Sequence, residues 1–408
     1  MARLCLVTPS HLSSNPRLVK AAGALCAAGH DVHVVAHRYF PSLDETDAAL
    51  FKTAPWKHTV VDSTRGLQQG CSKLRRRLLR FALSRGFPLT PGNAGFAHHA
   101  VVPMLVATAA RVPADLYVGH CLAGLAAAAQ AAHLTRTRYA FDAEDFHSAE
   151  TETAVSDHLE HRIVTTLEAA CLPGCAAITA SSPLIARAYR ETYQLPDTPS
   201  VVLNTFPLDQ GPAASSPSPG GTLRLYWFSQ TIGSGRGLEP LVATLGRMKQ
   251  PASLHLRGLP SSGFPETLRA LARQNHWSGE IEFLPFATPA DMPRLAAGYH
   301  LGLSLELRTP RNRDLCLTNK IFTYLLAGLP VALSSTSAQD ALLPDLGRAA
   351  LTLPLDDPAA GAALLDLWWS DRAAVAAARA HAWHLGQTRY NWDHEKTALV
   401  ATIEHALS

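Results

Sequence analysis

Short apolar runs alternate with amphipathic stretches along most of the chain. Arg3–Thr8 and Asp31–Ala36 are predicted strands, and between them Pro16 opens a predicted helix. Strands that alternate with helices in this way form parallel sheets covered on both faces, so the pattern predicts an α/β fold. Further strands are predicted at Ala114–Gly119, Arg138–Phe141, Ala176–Ala180, Val201–Leu203, Leu223–Phe228, Leu254–Arg257, Ile281–Leu284, Leu301–Leu307, Pro330–Leu333 and Ala349–Leu353.

Two stretches interrupt this alternation. Residues 207–221 are rich in Pro, Gly, Ser and Ala without periodicity, which is typical of a linker. Because 408 residues exceed one comfortable core, we expect two domains, 1–206 and 222–385, followed by a C-terminal helical segment, 386–408. Residues 41–70 are polar, and we expect them to be irregular apart from one possible strand near His58–Val61.

The segment around residue 318 combines a strand, a polar loop and a helix. The predicted strand Leu301–Leu307 leads into the charged loop Arg308–Leu317, and Thr318 is the expected N-cap of a helix that ends near Gly328. Ligands of open parallel sheets lie beyond the carboxyl ends of strands, and a helix N-terminus attracts phosphate. We therefore expect a ligand beside three residues, which are Glu306, Asn319 and Lys320.

A glycine-rich loop follows the first strand of the second half. Gly233, Gly235 and Gly237 would let the backbone approach a ligand closely, and Arg236 adds a cation before a predicted helix. Together they suit a diphosphate. The first βαβ unit has no G-x-G-x-x-G sequence, so dinucleotide binding has no direct support there.

Polar residues also follow two predicted strands of the first half. His120 stands at the end of one strand, and four titratable residues follow the next, namely Asp142, Glu144, Asp145 and His147. Such a group could bind an acceptor or act as a base, or it could cap the next segment.

The run Thr318–Pro330 resembles the nucleotide-sugar signature of GT-B glycosyltransferases, of the bacterial retaining type known as family 4 or group 1. This resemblance implies two Rossmann-like, doubly wound domains that face each other across a cleft. It implies sugar transfer from a nucleotide-diphosphate sugar to a hydroxyl acceptor, with retention and without a metal or other cofactor. Arg236-Gly237 matches a basic residue that neutralises the leaving group, whereas Thr323 stands where many relatives have a ribose-binding Glu.

The resemblance also suggests roles for single residues. Glu306 would hold hydroxyls of the donor sugar, His120 would lie beside that sugar, and the backbone near Phe286 and Ala287 would flank the base. The loop Ser10–Arg17 resembles the first loop of these enzymes, which would bring three residues to the cleft, namely Ser13, Asn15 and Arg17. Alternatives from the residues alone are an ordinary polar turn for this loop and an ion pair of Glu306 with Arg308, Arg311 or Arg313.

Composition narrows the classes of partner and compartment. A formal charge of +3 does not call for a nucleic-acid partner, and seven scattered cysteines suggest reduced, buried thiols of a cytoplasmic protein. The chain begins without a secretory signal pattern, and no apolar run reaches the roughly 18 residues that suggest a membrane span.

The stretch Lys73–Phe81 is a basic amphipathic pattern. Leu74, Leu78 and Phe81 recur at helical spacing among cations, so the helix could lie on the anionic inner face of the plasma membrane or meet a lipid-linked acceptor. An ordinary solvated helix face is the alternative.

Three functions remain open from the sequence. The first is a glycosyltransferase of polysaccharide, glycolipid or other glycoconjugate synthesis. The second is a sugar-nucleotide epimerase or hydrolase of the same fold, with Asp142, Asp145 and His147 as acid–base groups. The third is a non-catalytic nucleotide-binding partner, for which Thr323 is the only support.

Overall fold

The structure, a computed structural model, describes residues 1–64, 67–151, 158–214 and 220–408. The chain divides into two compact units: unit 1 is Met1–Val202 with Lys396–Ser408, and unit 2 is Leu203–Glu395. Part of the predicted linker, 215–219, lies outside the described residues. The domain bounds expected from the sequence stay a prediction.

Unit 1 contains a seven-stranded parallel sheet in the order β3-β2-β1-β4-β5-β6-β7. Its strands are β1 (Arg3–Val7), β2 (Asp31–Arg38), β3 (Lys57–Asp62), β4 (Leu116–His120), β5 (Arg138–Ala143), β6 (Ala177–Ala180) and β7 (Ser200–Val201). Its first eight helices are α1 (Pro16–Ala27), α2 (Asp44–Thr53), α3 (Leu67–Ser84), α4 (Pro91–His98), α5 (Val102–Ala109), α6 (Cys121–Thr135), α7 (His158–Cys171) and α8 (Pro183–Tyr193). Strands β1 and β4 are buried almost throughout, as both faces of the sheet are covered.

Unit 2 contains a six-stranded parallel sheet in the order β10-β9-β8-β11-β12-β13. Its strands are β8 (Leu223–Ile232), β9 (Ala252–Pro260), β10 (Ile281–Leu284), β11 (Leu301–Ser304), β12 (Val331–Leu333) and β13 (Ala350–Thr352). Its helices are α9 (Leu238–Leu245), α10 (Phe264–Gln274), α11 (Met292–Ala296), α12 (Arg311–Leu315), α13 (Asn319–Leu326), α14 (Ser337–Leu346), α15 (Pro358–Ser370) and α16 (Arg372–Thr388). The last helix, α17 (Trp392–Leu407), begins in unit 2 and belongs to unit 1 from Lys396 onward. The core of this unit is built around Trp227, Leu254, Leu303 and Trp369.

In both sheets the strand order reverses beside the first strand. The reversal lies between β1 and β4 in unit 1 and between β8 and β11 in unit 2. Such a switch point opens a crevice at the carboxyl ends of the two strands, where ligands of doubly wound sheets bind. The predicted α/β, doubly wound architecture is confirmed.

Local sequence signals account for several helix ends. Pro16 occupies the first turn of α1, and the Asn15 side chain accepts a hydrogen bond from the Leu18 N–H at 3.0 Å. Ser182 caps α8 in the same way. Gly328, with φ of 66°, follows α13 and provides the left-handed residue that ends it.

The structure corrects three local expectations. Within residues 41–64 the possible strand near His58–Val61 is confirmed as β3, but the expectation of an otherwise irregular segment was wrong, because α2 lies there. The first turn of α2 is acidic, which favours the positive end of the helix dipole. Strand β8 continues through Ser229–Ile232, which had been expected to be loop, by means of a bulge after Phe228. Strand β11 ends at Ser304 rather than Leu307, and α12 lies within the predicted loop Arg308–Leu317.

The structure tests two expectations from composition, that the cysteines are reduced and buried and that no segment spans a membrane. All seven thiols are free, but Cys71 is exposed, so the expectation that every cysteine is buried was wrong. Within the described ranges, every helix is too short or too polar to cross a bilayer.

Candidate functional site

Three loops meet at the switch point of unit 2. The first is the glycine loop between β8 and α9, the second follows β11 and carries Glu306, and the third precedes α13. The hydroxyls of Ser304 and Thr318 lie 3.2 Å apart, and the Ser334 hydroxyl donates to the Glu306 carbonyl oxygen at 2.6 Å. These bonds fix the backbone that positions Glu306.

The central pair of this site is Glu306 with Lys320. The Lys320 Nζ lies 2.6 Å from Glu306 Oε1, and both side chains are almost fully buried. Burial by itself would raise the pKa of Glu306, but Lys320 and then the nearby charges of Arg236 and Arg313 outweigh it, so the pKa is lowered. Glu306 is therefore an anion at neutral pH, surrounded by three cations.

Two of the three arginines suggested as partners of Glu306 form hydrogen bonds with other groups. Arg308 donates to the Ser335 carbonyl oxygen at 2.6 Å, and Arg313 donates to the Gly235 carbonyl oxygen at 2.7 Å. The cation that pairs with Glu306 comes instead from the first turn of α13.

The glycine loop needs its glycines for different reasons. Gly235 and Gly237 have φ of 69° and 75°, in the left-handed region. A Cβ at Gly237 would lie 2.5 Å from the Leu305 carbonyl oxygen, whereas one at Gly235 would meet no atom within 4 Å. Gly237 thus permits close backbone packing, while the space over Gly235 is open beside the partly exposed Arg236. Gly233 is buried against Ser261.

The N-terminus of α13 has no side-chain cap. Thr318 occupies the N-cap position, as predicted, but its side chain makes no capping hydrogen bond. The Ile321 N–H donates to the Thr318 carbonyl oxygen at 3.2 Å, which leaves the N–H groups of Asn319 and Lys320 for another partner. The Thr323 hydroxyl is buried and donates to the Asn319 carbonyl oxygen at 2.9 Å. The Thr323 hydroxyl therefore donates its hydrogen bond within α13 and not to a ligand such as a ribose.

The switch point of unit 1 is organised by an ion pair between Arg17 and Asp142. The Arg17 Nε and Nη2 atoms each lie 2.7 Å from a different oxygen of Asp142. Thr179 donates to the same carboxylate at 2.6 Å, and Arg17 Nη1 donates to the Val202 carbonyl oxygen at 2.7 Å. Burial opposes ionisation of Asp142, but Arg17 and His120 keep its pKa well below the usual range.

His120 is buried next to this pair. Its Nδ1 lies 3.1 Å from Asp142 Oδ2 and 3.9 Å from Glu144 Oε1. Burial would lower the pKa of His120, but the two carboxylates outweigh it and the pKa is raised. His120, Asp142 and Glu144 place possible metal-ligand atoms within 4.8 Å of one another, but the charge of Arg17 on Asp142 opposes a bound cation.

The first loop of unit 1 is fastened from within the unit. Asn15 caps α1, Arg17 holds Asp142, and the Ser13 N–H donates to Asp47 Oδ1 at 2.8 Å. These contacts explain Asn15 and Arg17 without a ligand. The predicted approach of Ser13, Asn15 and Arg17 to an acceptor stays a prediction.

A cavity of about 500 Å³ lies at the carboxyl edge of the unit 1 sheet. Two predicted residues, Asp145 and His147, line it. The His147 Nδ1 lies 2.5 Å from Glu150 Oε1; burial would lower the pKa of His147, but Glu150 and other nearby carboxylates raise it to about 9. Other lining residues were not predicted from the sequence, including Tyr39, His98, His99, Cys121 and Glu160.

These missed residues come from elements that are far apart in the chain. The His98-His99 doublet was the one local signal that could have drawn attention to them. Burial lowers the pKa of His99 to about 4, so at neutral pH the cavity pairs a neutral His99 with a protonated His147.

The residues predicted to flank a base lie apart from the charged group. Phe286 and Ala287 follow β10, the edge strand of the unit 2 sheet, and the Phe286 side chain is half exposed. Their role stays a prediction.

No model of a known protein family matches this sequence, and no curated protein matches it. Solved structures do match the fold. HepE of Anabaena, in complex with UDP and glucose, has a TM-score of 0.73 at 14% identity, over 99% of this chain and 100% of that one. Sucrose-phosphate synthase of Thermosynechococcus elongatus has a TM-score of 0.73 at 13% identity, over 99% and 98%.

A third match is WaaG, a glycosyltransferase involved in lipopolysaccharide biosynthesis, with a TM-score of 0.60 at 12% identity over 98% of this chain and 99% of that one. The chain therefore has the fold of GT-B glycosyltransferases over almost its whole length. The resemblance seen in the sequence is confirmed for the fold.

Proposed function

We propose that this protein is a glycosyltransferase that moves a sugar from a nucleotide-diphosphate sugar to a hydroxyl acceptor, with retention at the anomeric carbon. The observation that carries the proposal is the excess of positive charge at the unit 2 switch point. Arg236, Arg313 and Lys320 surround one carboxylate, Glu306, beside the uncapped N-terminus of α13. This arrangement suits an anionic ligand that also carries hydroxyl groups.

The diphosphate would lie over Gly235, where the backbone leaves open space. Arg236, Lys320 and the N–H groups at Thr318–Lys320 would offset the charge that develops on the leaving diphosphate, so the proposal needs neither a metal nor another cofactor. Glu306 would accept hydrogen bonds from hydroxyls of the donor sugar. Phe286 and Ala287 would flank the base.

The acceptor would enter the unit 1 cavity, where Asp145 and His147 offer hydrogen-bonding groups. Glu144, which lies near His120, would also contact the acceptor. His120 would contact the transferred sugar, and Asp142, fixed by Arg17, would hold the imidazole in place. Catalysis would rest mainly on positioning, with no enzymic nucleophile. We also propose that the protein is cytoplasmic and contacts a membrane peripherally through α3.

Nucleotide binding tests the donor site. We expect UDP, UDP-glucose or another member of a panel of nucleoside diphosphates and their sugars to raise the unfolding midpoint, since a ligand of the folded state stabilises it. Arg236→Ala should lower the affinity for that ligand by about 10- to 100-fold, because it removes one charge-assisted hydrogen bond. Arg247→Ala is the matched control, because Arg247 is exposed beyond the opposite end of α9.

Unchanged affinity in Arg236→Ala would refute the proposed phosphate site. Product analysis then separates the possible reactions. A glycosylated acceptor supports transfer, whereas an epimerised or hydrolysed sugar nucleotide without any glycosylated product contradicts it.

A further inference from the structure

Helix α3 has two apolar faces, of which only one is covered by residues that the structure describes. Leu79 and Leu83 pack against Ala97 and Ile163. On the opposite face Leu74, Leu78 and Phe81 are 57%, 59% and 60% exposed. Their spacing of four and three residues places them in one row along the helix.

Cations flank this exposed row on both sides. At roughly 100° per residue, Lys73 and Arg77 lie on one side of the row and Arg75 on the other, and all three are exposed. Residues 67–90 contain no Asp or Glu. At the end of the helix the Arg85 guanidinium lies 5.0 Å from the centre of the Phe81 ring, and Phe87 is 53% exposed.

We propose that α3 docks this protein on an anionic lipid bilayer. An apolar row bordered by cations on both sides matches a helix that lies in the plane of a bilayer interface, with its apolar side chains among the acyl chains and its cations at the headgroups. The charge complementarity is local, since the formal charge of the whole chain is only +3.

The other face of α3 supports the wall of the unit 1 cavity. Arg80 Nη1 lies 2.5 Å from Glu160 Oε2, and Arg76 donates to the carbonyl oxygens of Ala97 and His98. Glu160 and His98 both line the cavity. A docked α3 therefore holds the cavity within about one helix diameter, roughly 10 Å, of the headgroups.

This position deepens the proposed function and rests on it. An acceptor that enters the cavity from a bilayer surface must carry its hydroxyl on a polar head attached to a lipid anchor. The class of acceptor is therefore an amphiphile held in the membrane rather than a freely diffusing sugar.

The test is co-sedimentation of the full chain with vesicles of phosphatidylcholine alone and of phosphatidylcholine mixed with phosphatidylglycerol. We expect the protein to bind the mixed vesicles and to leave them at high salt. The variant Leu74→Ser/Leu78→Ser/Phe81→Ser should bind at least about tenfold more weakly, because it loses three side chains that the bilayer would bury.

Matched controls come from exposed leucines elsewhere. Leu134 and Leu367 are 65% and 71% exposed, and Leu134→Ser and Leu367→Ser should bind the vesicles as the unchanged protein does. The charge variant Lys73→Gln/Arg75→Gln/Arg77→Gln should lose the preference for phosphatidylglycerol. An unchanged unfolding midpoint in each variant shows that the fold is kept.

Three outcomes would overturn the proposal. The first is no vesicle binding by the unchanged protein, and the second is equal binding by the triple serine variant. The third is self-association through this face, seen as a dimer that the serine variant abolishes while vesicle binding is unaffected. Donor binding in the triple serine variant should equal that of the unchanged protein, so failure of the docking and failure of the transferase proposal are distinguishable.

Discussion

The two units place opposite electrostatic arrangements at equivalent points of their sheets. In unit 1, Arg17 and Asp142 form a buried, bidentate pair, and Thr179 and His120 occupy the remaining contacts of the carboxylate. In unit 2, the buried pair of Lys320 and Glu306 has further cations beside it. In unit 1 the charge of the Asp142 carboxylate is matched inside the protein, whereas the unit 2 switch point keeps positive charge for a partner.

This difference distinguishes a site that positions its own side chains from a site that can bind an anion. A fully paired buried carboxylate positions its neighbours, and its charge is already matched inside the protein. A site with more cations than carboxylates attracts a negatively charged ligand even though its central pair is closed. We therefore assign positioning to the unit 1 network and donor binding to the unit 2 cluster.

The largest effect is expected for Arg17→Met. This change leaves Asp142 ionised, buried and without its main partner, so the free energy of unfolding should fall by about 3–5 kcal/mol. Denaturant unfolding measures it. The exposed pair Arg3–Asp115 provides the control, because Arg3→Met should change stability far less.

A double variant tests whether the unpaired charge of Asp142 causes this loss of stability. Arg17→Met/Asp142→Asn removes the stranded charge and should recover part of the lost stability. If Arg17→Met is as stable as the unchanged protein, the contrast between the two switch points is wrong.

A smaller effect is expected for Lys320→Met. Glu306 loses its closest cation, but Arg236 and Arg313 remain near it, so the loss in unfolding free energy should be about 1–3 kcal/mol. Donor affinity should fall as well, which calorimetry with UDP-glucose or the best ligand of the panel would measure. An effect as large as that of Arg17→Met would show that unit 2 depends on its pair as strongly as unit 1 does.

A still smaller effect is expected for the way in which the stability difference between Glu306→Gln and the unchanged protein depends on pH. The pKa of Glu306 is lower in the folded chain than its ordinary 4.5. The stability that Glu306 contributes is therefore present above about pH 4.5 and is lost as the pH falls through the folded pKa. Unfolding curves of the two proteins should differ at pH 7 and converge in acid. A constant difference across this range would contradict the lowered pKa.

The smallest effect is expected for Gly235→Ala. Its Cβ meets no atom, so the cost is only the left-handed backbone, about 1 kcal/mol. Gly124 of α6 provides the comparison in unit 1, where a Cβ would lie 2.6 Å from the Val7 carbonyl oxygen. Gly124→Ala should therefore lower the unfolding midpoint much more. Equal losses in the two variants would mean that the open space over Gly235 is absent in solution.

The sequence predicted the periodic elements and the places where strands deliver polar residues. Apolar runs marked most strands, and Pro16 and Thr318 marked helix starts, because these signals depend on neighbouring residues. Helix α2 escaped prediction because its pattern is largely polar, so its position depends on tertiary contacts such as those of Asp47 with Ser13.

The pairing of charges could not be predicted from neighbouring residues. Arg17 and Asp142 are 125 positions apart, and only the sheet order brings them together. The alternative considered for Glu306 was an ion pair with a nearby arginine, yet the first turn of α13 presents Lys320 instead. The histidines of the unit 1 cavity likewise converge only once α4 and α7 are packed.

Helix α17 begins in unit 2 and ends in unit 1, which has a consequence for biosynthesis. Its last turns bury Leu399 and Ile403 beside Leu6 and Val118, and Arg138 donates to the Ala406 carbonyl oxygen at 2.8 Å. A ribosome translates all of unit 2 before it reaches these residues. The nascent N-terminal unit therefore exposes an apolar groove throughout that interval, and the portion of the protein that is made first is the last to be completed.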